Sequence, residues 1–221
     1  MQEPENSGTR TKAALVCFAV REEAAAFKRL AANSPGVEIL ITGMGKQNAE
    51  RAVREFLSGS KPALVLSCGF AGGLNPKLAP GTVVFSTTGN PALEKELLSA
   101  GACPARFHCA ERVAVSAAEK SALHESTGAD AVEMESQAIG LVCGEHQIPF
   151  ATVRVILDAA QEDLPLDFNR LMTPDLRMDY SKLAGELLKA PASVGALLRL
   201  QRQGKVAAET LAQVLAGIIP L

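Results

Sequence analysis

The chain has 221 residues, of which 48% are hydrophobic and 21% charged, the balance of a globular enzyme with room for one sizeable core. Its formal net charge of −2 leaves no basic footprint for nucleic acid, and no apolar run reaches the roughly 20 residues of a membrane span. With no Trp and a single Tyr, it is short of the large aromatic anchors on which many protein interfaces are built.

In chain order, residues 1–12 (MQEPENSGTRTK) are polar and lack an apolar h-region, so they read as a disordered lead and not a signal peptide. Residues 13–221 then read as one domain. AALVCFAV (13–20) is a buried strand and REEAAAFKRLAA (21–32) a helix. VEILITG (37–43) is a second strand. GMGKQNAERAVREFL (43–57) begins with glycines and becomes helical. PALVLSCGFAGGL (62–74) is a strand running into a glycine-rich loop. GTVVFST (81–87) and RVAVS (112–116) are further strands, with a short helix at 91–100 between them. ADAVEMESQAIGLVCGEH (129–146) passes from strand to helix. FATVRVILDAA (150–160) is the last strand, and the rest is helical, with breaks near Pro191 and Gly204. Apolar strands alternating with helices predict an α/β fold whose mainly parallel sheet is covered on both faces.

In such sheets, ligands bind beyond the carboxyl ends of the strands. That rule gathers Glu22 and Glu23, then Gly43, Gly45 and Lys46, then Gly69 to Gly73, then Glu133 to Glu135, and finally Asp158. Carboxylates crowded into a partly apolar cleft acquire shifted pKa values, which is how acid–base sites are made. Taken singly, each has a plainer reading. Asp158 suits a turn or helix N-cap, Glu22 and Glu23 suit the first turn of a helix, and Arg154 suits an internal ion pair. Glu133 and Glu135 suit a helix start. If they lay on a strand, alternation would turn both away from Met134. GMGKQN lacks the spacing of an ATP-binding loop, and His108, His124 and His146 lack metal-ligand spacing. No metal or organic cofactor is expected. The odd number of cysteines (Cys17, Cys68, Cys103, Cys109 and Cys143), with no CxxC pair, reads as core thiols in a reducing cytoplasm.

GFAGGL after a strand, VEMES before a helix and RVILD at a strand end, in that order, resemble the nucleoside phosphorylase/nucleosidase superfamily, which includes the methylthioadenosine/S-adenosylhomocysteine nucleosidases. AEKSALHESTGADAVEMES (118–136), RVILDAAQEDLP (154–165) and VGALLRL (194–200) are similar to the hopanoid-associated nucleoside phosphorylases. The resemblance implies a three-layer α/β/α domain with a mixed, mainly parallel sheet, a homodimer, and cleavage of an adenine nucleoside with a bulky 5′ group, adenosylhopane for the second group. It implies Asp158 as general acid to the base, Glu135 as acceptor of the ribose hydroxyls, Glu23 as the residue orienting water, and Arg154 as the basic group beside it. Met134, Glu133, Phe70, Ala71, Gly72, Gly45, Val113 and Ala114 would line the substrate. Phosphate is the alternative nucleophile and co-substrate.

The chain departs from the nucleosidase pattern at Phe70 and Leu157, where serines are usual, and in a shorter stretch between GTVVFST and RVAVS. These departures fit either a pocket open to a long 5′ substituent or a nucleoside-binding protein with little activity. The segment ASVGALLRLQRQGKVAAETLAQVLAGIIPL reads as helices packed on the sheet or on a second subunit. Its interleaved Arg199, Arg202 and Lys205 give a membrane-surface contact as the alternative.

Overall fold

The computed structural model describes residues 14–189 and 192–219, so the N-terminal lead and Pro191 lie outside the described residues. Eight strands form one mixed, mostly parallel sheet: β1 (Ala14–Phe18), β2 (Val37–Ile41), β3 (Leu64–Gly73), β4 (Val83–Thr87), β5 (Cys103–Pro104), β6 (Phe107–Cys109), β7 (Ala131–Glu133) and β8 (Phe150–Asp158). The main order is β2-β1-β3-β8-β4-β5. β4 runs antiparallel to β8, and β7 pairs with both β3 and β6.

The continuous apolar runs are the central strands, because both faces are covered. Val16, Phe18, Leu66, Cys68, Val153 and Val155 point to one side, into a core closed by α1 (Arg21–Leu30), α3 (Pro91–Ser99) and the end of α7 (Ala192–Ile218). Leu15, Cys17 and Val65 point to the other, against α2 (Lys46–Gly59) and α5 (Ser136–Glu145). Among the described residues, the remaining helices are α4 (Ala117–Thr127), α6 (Tyr180–Lys189) and a short 3₁₀ turn at Phe168–Leu171.

Several local expectations are corrected. RVAVS is not a strand. The Val113 N–H and C=O, both 2.9 Å from the Asn169 carboxamide, find their partners there instead of in a neighbouring strand. The sheet contribution comes earlier, from Phe107–Cys109. α7 runs through Gly204 without a break. Its Ala207, Ala208, Leu211 and Leu215 bury a face whose packing outweighs a cost of about 1 kcal/mol for one interior glycine. A Cβ at Gly204 would stand 3.6 Å from the Phe70 ring, an ordinary contact, so the packing there would also accept alanine. Cys17, Cys68 and Cys143 are core thiols, but Cys103, on a two-residue edge strand, is exposed.

Two features of the sheet place the site. β3 outlasts β1, and its last residues, Gly72 and Gly73, pair with β7. In the β3–β8 ladder, Ala71 faces Ile156 but Gly72 faces Asp158, so Leu157 is an extra, bulged residue. The bulge brings Leu157 and Asp158 to the same cavity, where strict alternation would separate them.

Candidate active site

At the carboxyl ends of β1, β3 and β8 lies a cavity of about 310 Å³. Glu23, Phe70, Ala71, Gly72, Val113, Ala114, Glu133, Met134, Glu135, Arg154 and Asp158 all line it. Gly45 does not. Its N–H donates to Glu135 Oε1 at 2.8 Å from the start of α2, where its φ of 85° suits glycine. Met134 faces the same cavity as its two glutamate neighbours, against the alternation expected of a strand. β7 stops at Glu133 and the chain turns at once into α5, so the two-residue period no longer applies.

Arg154 is the electrostatic centre. Only 1% exposed, it must be paired to be tolerated. Its Nη2 donates to Glu133 Oε2 at 2.8 Å, Glu135 Oε2 at 3.1 Å and Ser67 Oγ at 3.0 Å, while its Nε has no partner among the described residues. Glu133 also accepts from the first N–H groups of the α5 turn, Glu135 N at 2.9 Å and Ser136 N at 2.8 Å, and from Ser136 Oγ at 2.6 Å. Burial alone would raise its pKa, but Arg154 and these donors carry it below the usual value, so Glu133 is a fixed anion joining helix to guanidinium. For Glu135, burial wins over Arg154 and the pKa is raised.

Glu23 bends back over the start of its own helix. Its carboxylate accepts from Ala19 N at 3.1 Å, Val20 N at 3.3 Å and Phe70 N at 2.8 Å. Burial pushes its pKa up to about 7, against the pull of Arg154 and the Phe70 N–H. A group of that pKa can hold or release a proton near neutrality.

Gly69 permits this packing. With φ of +144°, a Cβ there would sit 2.6 Å from Glu23 Oε1 and 2.7 Å from Arg154 Nη1. Gly69→Ala is therefore expected to cost about 1–3 kcal/mol of stability, read from the urea midpoint, and to cut any turnover at least about tenfold. A variant with unaltered stability and turnover would show that the close approach is dispensable.

Asp158 receives the buried Lys120 ammonium on Oδ2. Burial raises its pKa, while Lys120 opposes the rise. Lys120 is 0% exposed, and sequence alone gave no warning of it. It stands 38 positions from its partner, on a helix whose apolar residues form no stripe. Beyond this polar group the lining is apolar apart from Arg112, with Leu157 from β8, Leu200 from α7, and Met44, Leu164, Phe168, Met172 and Met178 from the connections between elements. Among the described residues, no cluster of His, Cys, Asp or Glu is arranged to hold a metal ion.

Comparison with known proteins identifies the family and the fold. The sequence profile of the phosphorylase superfamily matches residues 17–107 and 100–189. A 5′-methylthioadenosine/S-adenosylhomocysteine nucleosidase of Glaesserella parasuis is 29% identical over 175 residues, 63% of this chain and 75% of that one. Among solved structures, futalosine hydrolase of Helicobacter pylori superposes with a TM-score of 0.69 at 15% identity, covering 94% of this chain and 99% of its own. A 5′-methylthioadenosine/S-adenosylhomocysteine nucleosidase of Neisseria meningitidis, in complex with methylthio-immucillin-A, gives 0.68 at 20% identity, covering 94% and 98%. At these identities the structural likenesses establish the shared fold.

Proposed function

The chain belongs to the phosphorylase superfamily, and from that premise we propose that it hydrolyses the N-glycosidic bond of an adenine nucleoside bearing a bulky apolar 5′ group, adenosylhopane being the compound its sequence resemblance implies. The observation that carries this is the one cavity in which Asp158, Glu135 and Glu23 meet beside an apolar wall of Leu157, Leu164, Phe168 and the methionines.

Each carboxyl takes a separate task. Protonated Asp158 gives its proton to N7 of adenine. The C1′–N9 bond breaks with its electron pair going to the base, and the sugar gains oxocarbenium character. Ionised Glu135 is a pure acceptor and suits the ribose diol. Glu23 takes a proton from the water that adds to C1′. One proton leaves Asp158, one arrives at Glu23, and exchange with solvent resets both.

Water is favoured over phosphate by charge. The cavity cations are Arg154, shared between Glu133 and Glu135, and Arg112, whose Nη2 lies 2.6 Å from Glu119 Oε1. Arg154 is thus not left to neutralise a phosphate dianion, and Arg112 stands in an exposed ion pair.

The apolar lining favours a lipid-like 5′ substituent. S-adenosylhomocysteine would bring a zwitterionic tail against Leu164, Phe168 and the methionines. The test is adenine release, followed by chromatography, from adenosylhopane or a 5′-alkyl adenosine, methylthioadenosine, S-adenosylhomocysteine and inosine. The expected order of kcat/KM puts the long-chain substrates first by at least about tenfold, since each buried CH₂ contributes ~0.8 kcal/mol. A preference for methylthioadenosine or S-adenosylhomocysteine would move the reading to a nucleosidase of that type. Binding without release would favour a nucleoside-binding protein.

A lipid-linked substrate also gives the C-terminal helices a use. Leu188, Val194, Leu198 and Val206 are exposed, beside exposed Arg199, Arg202 and Lys205. We expect weak, salt-sensitive binding to anionic vesicles in flotation. Full-length protein that never floats would remove this contact from the proposal. The homodimer remains part of the same reading, and a monomer in light scattering across working concentrations would exclude it.

A further inference from the structure

We propose that Lys120 is a positioning residue for the reaction, its ammonium fixing the Asp158 carboxyl through Oδ2 and setting the pH range over which Asp158 carries the proton for the leaving base. The inference rests on the proposed role of Asp158 and deepens it.

The geometry leaves Lys120 little else to do. An ammonium group has three donors, and all are used: Asp158 Oδ2, the Ala159 carbonyl at 2.9 Å and the Glu162 carbonyl at 2.7 Å. The side chain is wholly buried, and burying such a charge is costly unless paired. A lysine that served only to hold the loop after β8 could be replaced by a neutral donor at less cost. The charge matters because of where it sits. It touches the one aspartate lining the cavity, and it claims a single oxygen. Oδ1 takes no hydrogen bond from the described residues, so it is the oxygen left for a ligand.

The charged groups acting on Asp158 are Lys120 from α4 and Glu162 from the loop after β8, with opposite effects. Glu119, next to Lys120, is taken up by Arg112 and the Val115 N–H. Lys120 thus opposes burial and Glu162, and keeps Asp158 from holding its proton too tightly to give it up. The same ammonium anchors the turn leading to Leu164 and Phe168, so the acid and the apolar wall are set by one side chain.

The test is the pH profile of kcat for the unmodified chain, Lys120→Met and Lys120→Gln, each shown to be folded by circular dichroism. Activity that depends on protonated Asp158 falls on the alkaline side. Removing the opposing charge moves that limb upward, by about 1–3 pH units for a lost neighbouring cation. Lys120→Gln keeps a donor for the carbonyls but not the charge, so its limb moves as well. Lower activity with the limb unmoved in both would show a merely structural lysine and overturn the inference. If neither variant folds, a third still decides. Lys120→Arg, which keeps a cation for Oδ2, should leave the alkaline limb where it is, and a limb that moves although the charge is kept would overturn the proposal. Asp158→Asn separates the two levels. If it stays active, the role of Asp158 falls. If it is inactive while the Lys120 variants keep the original limb, only the inference about Lys120 falls.

Discussion

Asp158→Asn is expected to lower adenine release by about 10²–10⁴-fold, the usual worth of a positioned general acid, with nucleoside still bound. An amide has no proton to give to N7 at a useful pKa. The same change is expected to destabilise the fold. It leaves the Lys120 ammonium buried without a counter-charge, and breaking one partner of a buried pair costs about 3–5 kcal/mol. Turnover, nucleoside binding by calorimetry and the urea midpoint must be read together. Loss of turnover explained wholly by unfolding would leave the acid role without support. Turnover within about threefold of the unmodified chain would remove it.

Glu23→Gln is expected to have the same sign for activity and the opposite sign for stability at neutral pH. Turnover should fall by about 10²-fold or more, because an amide cannot accept the proton of the attacking water. The stability effect follows from linkage. Burial raises the folded-state pKa of Glu23 to about 7 from its ordinary value of 4.5. A raised carboxyl pKa means that ionisation is harder in the folded chain than in the unfolded one. The folded state therefore loses stability from this group as pH climbs from about 4.5 through about 7, and the loss is constant above that window.

Glutamine does not ionise, so the variant escapes this loss. Its amide places a donor where Glu23 accepted from Ala19, Val20 and Phe70, a penalty that does not change with pH. The stability difference, variant minus unmodified chain, should grow in the variant's favour between pH 5 and pH 8 by about 2–3 kcal/mol. A difference that stays flat across this range would show that Glu23 is an ordinary carboxylate, ill-suited as a base near neutrality.

The opposed stability effects show what a sequence can and cannot reveal here. The central strands were legible because a strand covered on both faces must be apolar throughout, and β1, β3 and β8 are. The carboxyl-end rule then gathered Glu23, Glu133, Glu135 and Asp158, which the structure brings to one cavity. What stayed hidden depends on pairing between distant segments. Lys120 sits on a helix without an apolar stripe, and only the fold sets it against Asp158. The bulge at Leu157 is a mismatch between two strands, which neither strand encodes alone. β5 and β6 are too short for a period to show. The extended VAV of RVAVS finds a side-chain partner in Asn169, 56 residues away from Val113, and so never joins a strand. The resemblance already set Glu135 apart from Glu133, but their partners were hidden: Glu133 is fastened to the α5 turn and Glu135 receives the Gly45 N–H.

The most direct measurement is the fate of the sugar in ¹⁸O-labelled water. A 5′-alkyl adenosine would be incubated with the full chain, with and without phosphate, and adenine and sugar identified by mass spectrometry. Hydrolysis by the Asp158–Glu135–Glu23 site requires free adenine and a sugar carrying one ¹⁸O at C1′, at a rate indifferent to phosphate. A sugar 1-phosphate without the label, or no adenine from protein shown to be folded, would contradict it.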